Sequence, residues 1–168
     1  MIKKLASLAL LLFTFISFQG CSKESPLQYF NKDGYFERTM DNLRTGTMVQ
    51  GLETKAIIHA IYLNRVDAKL YSDGEYFFIG TYIENDFQDK DKRGLYNKAF
   101  TLKLNNEIAL VAEELSEDHI LRKSMPLVSR WNRYYRVKFK QIKGNKLVMT
   151  FDHTRFGRIT LNFQRDYE

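Results

Sequence analysis

An all-β fold, an antiparallel β-sandwich of seven to eight strands, is predicted by three observations. Apolar and polar residues alternate over much of the chain, the alternating runs recur at spacings of about ten residues, and Gly or Asn turn signals stand between them. The chain has 168 residues, 44% apolar and 27% charged, which is the size of one ordinary domain and excludes a multidomain enzyme or a disordered chain.

Taken in chain order, Tyr35 to Leu43 places Phe36, Met40 and Leu43 at helical spacing, so a short helix near 35–43 is expected, with a strand as the alternative. Thr54 to Asn64 and Glu75 to Glu84 are apolar on both faces and rich in β-branched and aromatic residues, as central strands are, and Asp73-Gly74 supplies a turn before the second. Phe100, Leu102 and Leu104 alternate with Thr101 and Lys103. Asn105-Asn106 ends that strand before a weaker run from Ile108 to Ala112. Glu113 to Arg130 is mixed and reads as a long excursion with one helical turn.

The C-terminal third has the cleanest pattern. Tyr135, Val137 and Phe139, then Leu147, Met149 and Phe151, then Ile159, Leu161 and Phe163 alternate with polar residues. Gly144-Asn145 and Phe156-Gly157 mark turns, so a three-stranded meander with one buried face is expected. With this strand count, an immunoglobulin-like arrangement is the expected type of sandwich and a barrel the runner-up. The two cysteines of a true immunoglobulin domain are absent, and Trp131, the only Trp, reads as a core residue standing before a strand.

At the N-terminus, Lys3 and Lys4 precede an uncharged run from Leu5 to Gly20, the layout of a secretory signal and shorter than a membrane span. Its end, Gly20-Cys21, resembles the type II signal of bacterial lipoproteins, although Phe18 and Gln19 stand where that family prefers Leu and a small residue. The resemblance implies cleavage before Cys21 and lipidation of that residue. Cys21 is the only Cys, so it has no internal disulfide to make. Residues 1–20 are thus expected to be a signal peptide, 21–26 a lipidated tether and 27–168 a single domain. Cleavage would take the net charge from +6 to +4. The expected location is a bacterial membrane, facing the periplasm or the cell surface, and export argues against nucleic acid as a partner.

No nucleophile motif or cofactor motif is present, and His59, His119 and His153 lack metal-ligand spacing. The acidic loop from Asn85 to Gly94 fails the calcium-loop pattern and reads as a solvated hairpin. Arg136, Lys138 and Lys140 form a basic ladder, and Arg130, Trp131, Arg133 and Tyr134 an Arg/aromatic segment of hot-spot composition. These seven are the candidate binding residues. The ladder suits anionic head groups, an envelope polymer or an acidic envelope protein, but the preferred reading is that its cations serve to deter edge-to-edge strand pairing. The expectation is a non-enzymatic binding or structural module at the cell envelope, with no cofactor. The alternative is an envelope hydrolase or metal-dependent enzyme using Glu113, Glu114, Glu117 and Asp118.

Overall fold

The computed structural model describes residues 34–165, and among them nine strands form two antiparallel sheets. These residues belong to one unit, Asp33–Glu168. The expected signal segment, Cys21 and the tether lie outside the described residues. One sheet has the order β1 (Leu43–Gln50), β2 (Glu53–Tyr62), β3 (Glu75–Ile83), β7 (Arg133–Phe139), β6 (Val111–Glu114). The other has the order β5 (Glu107–Ile108), β4 (Phe100–Leu104), β8 (Lys146–His153), β9 (Gly157–Gln164).

The inner faces of both sheets supply one core. Ile58, Phe77, Ile79, Tyr135, Val137 and Phe139 come from the five-stranded sheet, and Leu104, Leu147, Met149, Phe151, Leu161 and Phe163 from the other. Phe77 and Phe163 meet across the layers with ring centroids 5.1 Å apart at 68°, an edge-to-face contact.

The meander expected from the C-terminal third is corrected. β8 and β9 do pair as a hairpin, but β7 pairs with β3 and β6 in the opposite sheet. The link from Lys140 to Asn145 therefore crosses from one layer to the other. Alternation specifies which side chains face the core, and a core shared by two layers accepts them from either, so the same pattern fits both arrangements. Likewise the weak run Ile108 to Ala112 divides between the sheets. Asn105 and Asn106, at φ +46° and +70°, turn β4 back into β5, and the chain then crosses to pair as β6 with β7.

A second apolar cluster covers the outer face of the five-stranded sheet. Ile61, Phe78 and Tyr134 point outward there and are buried by Leu63, Val66, Tyr71, Leu115, Leu121 and Met125. This is why β2 and β3 read as apolar on both faces. Leu63 and Val66 lie in a helical turn, α2 (Leu63–Val66), just past the end of β2, and Leu121 in another, α3 (Ile120–Ser124). The expected N-terminal helix is present as α1 (Gly34–Asp41), but its buried residue is Thr39, while Met40 is exposed. Leu43 already belongs to β1, a strand that the sequence reading did not assign.

Candidate binding surface

Tyr134 fixes the loop that precedes its own strand. It faces the outer cluster, fully buried, with its ring stacked on Phe78 at 5.4 Å. Gly80, opposite it on β3, makes room: a Cβ there would lie 2.9 Å from the Tyr134 ring. The Tyr134 hydroxyl accepts the Ser129 N–H at 2.5 Å and points its proton at the carbonyls of Leu127 and Ser129, at 3.2 and 3.3 Å. The Arg122 guanidinium lies over the ring at 4.8 Å.

Segment 127–131 is therefore tied to a rigid core group. Leu127 is held at φ +58°, a left-handed conformation that bulky side chains seldom adopt. The outcome is an apolar tip in water: Leu127 is 52% exposed, Val128 45% and Trp131 70%. The Arg130 guanidinium sits over the Trp131 indole at 4.8 Å. The expectation of Trp131 as a core residue is thus corrected, because the ties to Tyr134 turn the loop outward. Leu127 and Val128 belong to the same surface, although the sequence reading left them in an undivided excursion; their signal was an apolar pair beside Pro126 with no strand periodicity.

The other candidate residues separate. Arg133 faces inward at one end of the sheet, its Nε 3.3 Å from Asp86. Asp86 also accepts the Gly94 N–H at 2.8 Å, and Glu114 accepts from Arg93 at 2.8 Å. This corrects the picture of the 85–94 loop as merely solvated: Asp86 organises it from within. On the outer face, Arg136 pairs with Glu113 at 2.6 Å and Lys138 with Asp73 at 2.7 Å, with the Lys138 ammonium 5.1 Å over the Tyr76 ring. Lys138 holds the Asp73 carboxyl below its ordinary pKa by hydrogen bonding, with a further bond from Tyr76, and Asp73 raises Lys138 in return. Lys140 lies exposed just past the end of β7. The ladder is not an edge guard, because β7 lies between β3 and β6.

The four carboxylates of the hydrolase alternative face four different cations. Glu113 meets Arg136, Glu114 meets Arg93, Glu117 meets Arg122 at 3.8 Å and Asp118 meets Lys123 at 3.3 Å. The histidines serve locally. His59 shares a 2.9 Å hydrogen bond with Thr45, and burial lowers its pKa. His119 accepts the Leu121 N–H as the cap of α3, and His153 accepts from Arg155 and Phe156 in the β8–β9 turn. Among the described residues no group of three or more His, Cys, Asp or Glu is placed to hold a metal ion.

One buried charge went unremarked in the sequence. Glu75, which opens β3, is 1% exposed and accepts from the Tyr62 hydroxyl at 2.6 Å, from the Ile142 N–H at 3.0 Å and from Arg165. Burial first, and then the Glu75 carboxyl, raise the Tyr62 pKa, while Arg165 opposes them. The cluster ties β2, β3, the β7–β8 link and the end of β9 together. Comparison of the chain with protein-family models, with curated proteins and with solved structures finds no match.

Proposed function

We propose that this chain is a lipid-anchored bacterial envelope protein whose domain works as a non-enzymatic binding module, with segment 127–131 as its contact surface. The observation that carries this reading is the pinned, outward-facing Leu127–Trp131 tip. Exposed Trp, Arg and aliphatic residues on a rigid support lose little conformational entropy on binding, and this composition is enriched at binding hot spots. The anchor rests on Gly20-Cys21 following a short apolar run. We read the two layers as a β-sandwich, supported by the core that their inner faces share. The finer immunoglobulin-like reading loses its core Trp, since Trp131 is exposed. The dispersal of Glu113, Glu114, Glu117 and Asp118 onto separate cations disfavours the hydrolase alternative.

Both parts are open to test in cells. Intact mass of the membrane-extracted protein should show the acyl addition and loss of residues 1–20, and Cys21→Ala should abolish both and release the protein from membranes. An unchanged membrane fraction with Met1 retained would indicate an uncleaved anchor instead. A photo-crosslinking amino acid at position 131 should give a discrete adduct, whereas one at position 52, a fully exposed turn residue, should not. Equal labelling from both positions would refute the contact surface.

A further inference from the structure

β1 and β9 are edge strands of different sheets that lie against each other without pairing. Their approach is close enough to require glycine: a Cβ on Gly46 would fall 2.1 Å from Cγ2 of Ile159. On the Leu43 side of this contact a groove of about 360 Å³ opens, lined by Asn42, Arg44, Asn145, Lys146, Asn162, Phe163 and Gln164. Among the described residues the lining contains two cations, four side-chain amides and no carboxylate.

Arg44 is preset within it. Its Nη1 donates to the carbonyls of Asp41 at 2.9 Å and Leu43 at 2.7 Å, and the guanidinium lies 5.9 Å over the Phe163 ring. Those bonds fix the plane of the fork and leave its Nε and Nη2 edge without a partner among the described residues. The Lys146 ammonium and the Asn162 and Gln164 amides on the rim are likewise unengaged among them. Pairing in the β8–β9 hairpin sets Lys146 directly opposite Gln164.

We propose that this groove binds a phosphoryl oxyanion, received by the free edge of Arg44 and by Lys146, with the rim amides donating to the remaining oxygens. A fork held flat by the backbone suits a planar pair of oxygens, and charge-assisted bonds of this kind are among the strongest that a protein makes. A carboxylate offers two oxygens to a lining with four donor groups; a phosphoryl group offers enough to use them. The group could be carried by a lipid head or by a phosphate outside the bilayer. This proposal is independent of the contact surface at segment 127–131.

The test is calorimetric titration of the detergent-purified full chain with three probes: inorganic phosphate, poly(glycerol phosphate) and a short-chain phosphatidylglycerol below its micelle threshold. Saturable binding to the first two identifies a phosphate outside the bilayer, and binding confined to the third identifies a lipid head; either supports the site. Arg44→Gln should weaken binding about tenfold or more, and Arg44→Lys should recover only part, because an ammonium restores the charge without the fork. Arg136→Gln and Lys138→Gln should leave binding unchanged. Should Arg44→Gln fail to fold, Lys146→Gln and Gln164→Ala, on the exposed rim, read the same site. Absence of saturation with all three probes overturns the proposal, as does equal weakening by Arg136→Gln and Arg44→Gln.

Discussion

Arg136 and Lys138 on β7 carry the same charges as Arg44 and Lys146 beside the β1–β9 contact, yet their surroundings are opposite. On β7 each cation meets a carboxylate across the outer face, Glu113 from β6 and Asp73 from the turn before β3. In the groove neither does among the described residues, and amides stand where the acids would be. The contrast teaches that cation density along a strand is a poor guide to an anion site. What matters is which strands fold against it, because a carboxylate within about 4 Å cancels most of the field that a ligand would feel.

The largest expected effect separates the floor of the groove from its rim. Phe163 packs against Tyr62 and Phe77 in the shared core, whereas its neighbour Asn162 is exposed. Phe163→Ala should cost roughly 3 to 5 kcal/mol of stability, and Asn162→Ala less than about 0.5 kcal/mol. Denaturant unfolding of the two variants reads the register of β9 directly. Equal, small losses would mean that Phe163 is not part of a core joining the layers, and the groove would lose its floor.

This contrast also explains what the sequence disclosed. The strands β2, β3, β4, β8 and β9 were legible because burial on one or both faces writes itself into alternation, and the core residues from Val137 to Phe163 were all named from that pattern. Sheet membership was not legible. Val137 and Leu147 bury into the same core from opposite layers, and no local signal distinguishes that from a hairpin. β1 was missed because Arg44, Thr45, Gly46 and Thr47 interrupt its apolar residues, and Gly46 is there for the approach of Ile159, a contact more than a hundred positions away. Trp131 was misplaced for a related reason: its exposure is imposed by hydrogen bonds from the Tyr134 hydroxyl to the loop before it. Arg44 and Lys146 lie far apart in sequence and could not be joined into a site without the fold.

A smaller effect turns one region into the other. If paired acids are what silence the β7 ladder, Asp73→Asn with Glu113→Gln should give Arg136 and Lys138 measurable affinity for poly(glycerol phosphate), additional to that of the groove and weakened by salt. The two substituted carboxylates are exposed, so the unfolding midpoint should barely move. A double variant that binds no more polymer than the wild type would show that the ladder is silent for another reason, such as the packing of Lys138 on Tyr76. Reading the titration in an Arg44→Gln background keeps the two regions apart.

The smallest effect comes from pH, acting on the wild-type chain through the same pair. Asp73 has a folded-state pKa below its ordinary 3.8, chiefly because Lys138 hydrogen-bonds it, and Lys138 is raised above its ordinary 10.5. A carboxylate lowered in this way contributes stability that is present above its unfolded value and is lost as pH falls through its folded value. A lysine raised in this way keeps its contribution below its unfolded value and loses it only as pH rises through its folded one. The pair is therefore intact from about pH 4 to pH 10, and acid is what opens it. Protonating Asp73 leaves Lys138 charged and unpaired, so binding of sulfate at Lys138 should rise only as pH falls below 3.8, while the groove, whose lining holds no carboxylate among the described residues, should hold its affinity over the same range. Sulfate titrations of Arg44→Gln and Lys138→Gln at neutral and acid pH compare the two regions within one fold. An acid-dependent gain that survives Lys138→Gln would place the titrating carboxylate elsewhere and separate the silence of the ladder from Asp73.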